Sequence, residues 1–173
     1  MTFIERIISV PHSGTRTLQQ WIYTERGGEG QMGDDRVGTV RHWHWTLHPI
    51  LIEQFIASGL PNIAHIPLRN PFDITDSWER RYKDAPDKSQ EIVNQALLRQ
   101  AEAITKNPAM VSVHKIEDLP LLRGKGPRPQ DWPDQETLLL LPRFRLLRHF
   151  FSRNDFVRDF YREYYSDQEL QWL

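Results

Sequence analysis

At 173 residues the chain is the size of one ordinary domain, long enough to bury a core without covalent staples. Hydrophobic residues make up 39% and charged residues 26%, which excludes a disordered or fibrous chain, and a formal charge of −1 lacks the basic excess of a dedicated nucleic-acid binder. Cysteine is absent, so neither a disulfide scaffold nor a thiolate metal site is possible.

Phe3 to Val10 is an apolar, β-branched run stopped by Pro11, and it predicts the first strand. Glu5 and Arg6 interrupt that run, which is too short and too charged for a secretory leader. No stretch approaches the roughly 18 apolar residues of a membrane span. For a chain that is complete as given, these features predict a cytoplasmic protein with no membrane partner. Gly14 opens a helix through about Tyr23, and Arg26 to Asp35 is a glycine-rich loop. Val37 to His44 predicts the second strand. Pro49 sits well as the first residue of a helix that ends at Gly59.

Asn62 to Leu68 predicts the third strand, closed by Asn70-Pro71. A helical stretch follows from Pro71, breaks near Ala85-Pro86 and resumes from Lys88 to Lys106. Met110 to His114 predicts a short fourth strand, and Leu122 to Asp134 a loop rich in proline, glycine and charge. The remainder reads as helix kinked at Pro142, with Arg153 to Leu170 as an amphipathic packing helix. Strands alternating with helices imply one α/β domain over residues 1–173. It should have three layers, a mainly parallel central sheet with helices on both faces. Ligands of such sheets bind at the carboxyl ends of the strands. The places to look for chemistry are therefore the turns after Val10, His44, Leu68 and His114.

The turn after Val10 reads Pro11-His12-Ser13-Gly14-Thr15-Arg16-Thr17. A helix start there presents backbone N–H groups and the positive end of a dipole to an anion. Ser13, Thr15 and Thr17 add hydroxyl donors, Arg16 adds a permanent charge, and Gly14 allows close backbone approach. The G-x-x-x-x-G-K-[ST] pattern of a Walker A loop is missing. An ordinary capped helix explains this segment equally well. The turn after Leu68 reads Arg69-Asn70-Pro71-Phe72-Asp73-Ile74-Thr75-Asp76-Ser77, with Asn70 as N-cap, Pro71 as N1 and Asp73 in the first turn. Arg69 at the strand tip and Ser77 one turn into the helix can clamp a phosphate monoester; the plainer reading is a capped surface helix beside an exposed arginine.

In this order, PHSGTR (Pro11 to Arg16) and RNPFDITDS (Arg69 to Ser77) resemble the two nucleotide-binding motifs of sulfotransferases that use 3′-phosphoadenosine-5′-phosphosulfate (PAPS). VSVHKIEDL (Val111 to Leu119) is similar to a third segment of that family. The resemblance implies a P-loop-like nucleotide-binding fold. It also implies PAPS as co-substrate, with no metal. Pro11, His12, Ser13, Gly14, Thr15, Arg16 and Thr17 would hold the 5′-phosphosulfate, and Arg69 with Ser77 the 3′-phosphate. The chain departs from the family at His12, which replaces a lysine, and at Thr17, which replaces an adenine-stacking aromatic. Trp21 or Trp78 would then pack the adenine, and Arg123-Gly124-Lys125-Gly126 is a loose counterpart of a late basic loop.

The same resemblance places a proton acceptor at the end of the second strand, where the sequence reads HWHWTLHP. His44 is the first candidate, His42 the second and His48 the third, with His12 a further catalytic candidate from the loop. Two other readings of these histidines stay open at this stage: a metal site, because H-x-H is a common ligand spacing, and a solvated face opposite core residues Trp43 and Trp45. His65 and His114 fall inside strands and read as structural. The acceptor and the oligomeric state are not legible. A nucleotide kinase or other phosphotransferase, and a PAPS-binding module without activity, are the alternative functions.

Overall fold

A computed structural model describes residues 4–26, 41–58, 62–82, 86–120 and 129–173. Four strands, β1 (Ile4–Ser9), β2 (Arg41–His44), β3 (Asn62–Leu68) and β4 (Val111–Lys115), form one sheet in the order β2-β1-β3-β4. Every pairing is parallel. Seven α-helices accompany it among the described residues: α1 (Thr15–Glu25), α2 (Pro49–Ala57), α3 (Pro71–Arg81), α4 (Pro86–Lys106), α5 (Gln135–Leu139), α6 (Pro142–Arg153) and α7 (Asp155–Arg162). The fold is α/β with an all-parallel sheet, as the alternation of strand and helix implies.

By their contacts the residues divide into two compact units, neither continuous in sequence: Met1–Arg69 with Glu102–Gly124, and Asn70–Ala101 with Lys125–Leu173. The first unit holds the sheet. Ile7, Ile8 and Val10 of the β1 segment and Ala64, Ile66 and Leu68 of β3 are buried, the run expected of inner strands covered on both sides. The step from β1 to β2 moves one way across the sheet and the step from β2 to β3 moves back past β1. Right-handed crossovers therefore set α1 and α2 against opposite faces. Under α1, Ile7, Leu18, Ile22 and Ile116 form a cluster flanked by Trp21 and Leu119.

The second unit is helical. Phe72 of α3 packs on Phe144 of α6 with ring centroids 4.9 Å apart, and Phe151 packs on Tyr161 and Trp172. Arg143, fully buried, pairs with Glu79 at 2.9 Å and donates to Ser89 Oγ at 2.6 Å and to the Tyr82 carbonyl. Pro142 is not a kink, as the sequence suggests, but the first residue of α6, because α5 has already ended at Leu139. The tail is not one helix either. Asn154 stops α6 and its side chain accepts from the Val157 N–H to start α7, which ends at Arg162. The last turns still bury Tyr165, Leu170 and Trp172.

The start of the first expected strand at Phe3, residues 37–40 of the second and the glycine-rich loop over 27–35 lie outside the described residues, as do Gly59, Ala85 and the loop at Arg123-Gly124-Lys125-Gly126. No described helix is long and apolar enough to cross a membrane.

Candidate functional site

The order β2-β1-β3-β4 reverses direction between β1 and β3, so the carboxyl ends of these two strands flank a switch point. The loop after Val10 and Arg69 after Leu68 lie at these two ends. After Val10 the chain turns sharply, with the Ser13 N–H on the Val10 carbonyl at 3.1 Å. His12 takes φ 64°, a left-handed conformation uncommon for a residue with a side chain. Gly14 follows at φ 92° and is the N-cap of α1. A glycine cap brings no side chain to the first N–H groups of the helix, and no side-chain cap bond is made.

Gly14 is needed for a second reason. A Cβ there would stand 2.9 Å from two carbons of Ile116, in the 3₁₀ turn Ile116–Asp118 that follows β4. The third matched segment thus lies directly under the loop. Ser13 is fully buried, and its hydroxyl has no hydrogen-bond partner among the described residues. Such a donor is costly to bury without an acceptor. Pro11 and His12 are half-buried, Thr15 and Thr17 are buried, and Arg16 is exposed on the first turn.

Arg69 is not the exposed arginine of the plainer reading. It is 7% exposed at the end of β3, and its Nη1 donates to the His12 carbonyl at 2.6 Å. This bond joins the first motif to the second and holds the left-handed residue in place. Asn70 caps α3 as its sequence position predicts, its Oδ1 accepting from the Phe72 N–H at 3.0 Å, with Pro71 at N1. The same oxygen accepts from Trp172 Nε1 at 3.0 Å, and Nδ2 donates to the Glu169 carbonyl at 2.8 Å. Ser77 stands half-buried on α3, in the second unit.

At the end of β2, His44 faces Ser9 in register, and its Nδ1 lies 3.0 Å from Ser9 Oγ. Thr15 Oγ1 donates to that hydroxyl at 2.8 Å. The loop helix and the candidate base are therefore connected through one buried serine that sequence reading passed over. Burial pushes the His44 imidazole below its ordinary range; His42 adds to this, and the Ser9 backbone carbonyl opposes it. His44 is consequently neutral near pH 7. His42 packs edge-on to His44 with centroids 5.2 Å apart. His48 is exposed and precedes α2, its ring centroid 6.5 Å from that of Trp43. Trp45 is buried at 2% exposure, whereas Trp43 is half-buried between Phe55 and the Arg6 guanidinium.

His65 and His114 form a pair across β3 and β4, Nδ1 to Nε2 at 3.1 Å, with Ser112 Oγ 3.2 Å from the latter. Trp21 lies against His114 at 5.3 Å, so this indole packs beside α1's own core, and Trp78 packs on Tyr82 at 4.9 Å. Among the described residues no group of three or more His, Asp or Glu side chains is arranged to hold a metal ion. No family model matches the chain, and no curated protein or solved structure matches it.

Proposed function

We propose that the chain is a sulfotransferase of P-loop-like fold that moves a sulfuryl group from PAPS to a hydroxyl or amine. The observation that carries this reading is the bond from Arg69 to the His12 carbonyl, which sets the tips of β1 and β3 side by side at a switch point. The loop from Pro11 to Thr17 takes the 5′-phosphosulfate, and Arg69 takes the 3′-phosphate. Ser13 Oγ, buried and lacking a partner among the described residues, supplies a donor for an anion.

In this reading the acceptor oxygen or nitrogen attacks sulfur in line, and the bond from sulfur to the phosphate oxygen breaks. His44 takes the acceptor's proton, and adenosine 3′,5′-bisphosphate leaves. The α1 N-terminus with Ser13, Thr15 and Arg16 stabilises the charge that gathers on the leaving phosphate. Positioning supplies most of the rate, as in phosphoryl transfer.

The test is a thermal-shift comparison of adenosine 3′,5′-bisphosphate with ATP, followed by sulfate transfer from labelled PAPS to an acceptor panel. At a hundredfold excess over Kd, the bisphosphate should stabilise by about 2.7 kcal/mol, which raises Tm by about 5–11 °C for a chain of this size. A shift with ATP alone would favour a phosphotransferase, and binding without transfer a non-catalytic module. No shift with the bisphosphate would overturn the reading.

A further inference from the structure

We infer that an anion bound at Thr15 switches His44, through Ser9, from a hydrogen-bond donor to a proton acceptor at Nε2. The inference rests on the sulfotransferase reading and deepens it. Its basis is the line of three groups in which Thr15 Oγ1 donates to Ser9 Oγ at 2.8 Å and Ser9 Oγ stands 3.0 Å from His44 Nδ1. Ser9 is fully buried and Thr15 is 8% exposed, so bulk water does not compete for these bonds.

Two arrangements of the same protons fit these distances, with one assigned to each state of the loop. Thr15 donating inward takes one lone pair of Ser9 Oγ, and for the loop before an anion binds we assign the serine's own proton to His44 Nδ1, 3.0 Å away. A neutral imidazole that accepts at Nδ1 carries its hydrogen on Nε2. In that tautomer His44 cannot take a proton from an acceptor at Nε2. An anion at the α1 N-terminus draws the Thr15 hydroxyl outward, because a charged acceptor makes the stronger bond. Ser9 then donates to Thr15 Oγ1, and its freed lone pairs accept from His44 Nδ1–H. The ring proton has moved from Nε2 to Nδ1 by exchange with water, and Nε2 presents a lone pair. Three protons are present before and three after.

Two features make the second arrangement accessible. The Ser9 backbone carbonyl beside the ring can accept from a ring N–H, and the parallel register fixes Ser9 opposite His44 whichever way the hydroxyls turn. Independent support for an anion at this loop comes from Ser13 Oγ, fully buried and with no partner among the described residues. Ser9 is thus a positioning residue, and binding of the donor nucleotide itself prepares the base. The ring does not become basic until the phosphosulfate is seated.

The experiment is nitrogen NMR of histidine-labelled protein near pH 7, with adenosine 3′,5′-bisphosphate and inorganic phosphate as probes. On saturation, the His44 Nε2 signal should move from the protonated to the unprotonated type, and Nδ1 should move the opposite way. Ser9→Ala should bind the bisphosphate as the parent does yet show no exchange of signals, and Ser9→Thr should restore it. Turnover of Ser9→Ala should fall about 100-fold with KM for PAPS unchanged, the low end of what a general base contributes. Binding with both nitrogen signals unmoved, or a Ser9→Ala variant that switches like the parent, would overturn the inference alone. Failure of both probes to bind would overturn it together with the sulfotransferase reading.

Discussion

Replacing Gly14 with alanine tests whether the turn between β1 and α1 is held in a single shape. Gly14 has φ 92° and ψ 28°, and an added Cβ would meet Ile116 Cγ1 and Cγ2 at 2.9 Å. Two costs add. Left-handed backbone costs an L-residue about 1–2 kcal/mol, and forcing a methyl into a packed contact costs about 1–3 kcal/mol. Ile116 cannot retreat freely, being 4% exposed and packed with Ile7, Leu18 and Ile22. The sum, about 2–5 kcal/mol, is a large share of the roughly 5–15 kcal/mol that holds a domain folded. Urea unfolding followed by tryptophan fluorescence should show a lower midpoint at an unchanged slope. Adding Ile116→Ala removes the clashing carbons. The double variant should therefore lose less than the two single losses combined, by about 1–3 kcal/mol. A Gly14→Ala protein within about 0.5 kcal/mol of the parent would refute the argument, because neither the backbone nor the contact would then be fixed.

Burial and then the neighbouring His65 push the His114 imidazole down to about 4, from an ordinary 6.5. Between those values the unfolded chain binds the extra proton, so stability is complete above about pH 6.5 and falls as pH drops toward 4. Allowing for solvent at the half-buried ring, the loss is on the order of 1–2 kcal/mol. Urea midpoints at several pH values should show a shallower acid limb in His114→Gln; an unchanged limb would exclude the pair as its source. Arg143→Ala should cost about 3–5 kcal/mol, since Glu79, Ser89 and the Tyr82 carbonyl lose their partner in a buried site; calorimetry showing a surface-like loss would contradict this. Asn70→Ala should cost about 2–4 kcal/mol by removing a cap and stranding the Trp172 indole N–H. Asn70→Asp should recover most of that and lose only the bond to Glu169, as read from the same unfolding curves. Arg69→Ala should weaken adenosine 3′,5′-bisphosphate while His44→Ala leaves it bound and lowers turnover, which titration calorimetry and rate assays separate.

What the sequence made legible was local. Asn70-Pro71 marks the start of α3 because a cap and a fixed φ act within one turn, and Pro49 marks α2 for the same reason. Val10-Pro11 and Leu68-Arg69 mark the ends of inner strands because burial on both faces demands an unbroken apolar run. Pro142 misled, since a proline inside a helical pattern and a proline opening a new helix look alike until the end of α5 is known. Arg153 to Leu170 misled because its aromatic spacing suits both a long helix and a short one followed by packed turns.

The contacts that matter most to the site depend on register, which no local pattern reports. Ser9 reads as one more residue of an apolar strand, and only the pairing of β1 with β2 sets it against His44. His65 and His114 read as two unrelated strand residues until the pairing of β3 with β4, which sets His65 opposite Ser112, brings the two rings within 3.1 Å on the diagonal. Arg69 reads as a surface charge until the left-handed turn at His12 points a carbonyl at it. A one-residue slip of β2 against β1 would turn His44 to the other face and present Trp43 to Ser9. The loop would survive that slip with its glycine and hydroxyls in place. The chemistry proposed for it would not, because an indole can neither read the Thr15 hydroxyl through Ser9 nor take a proton from an acceptor.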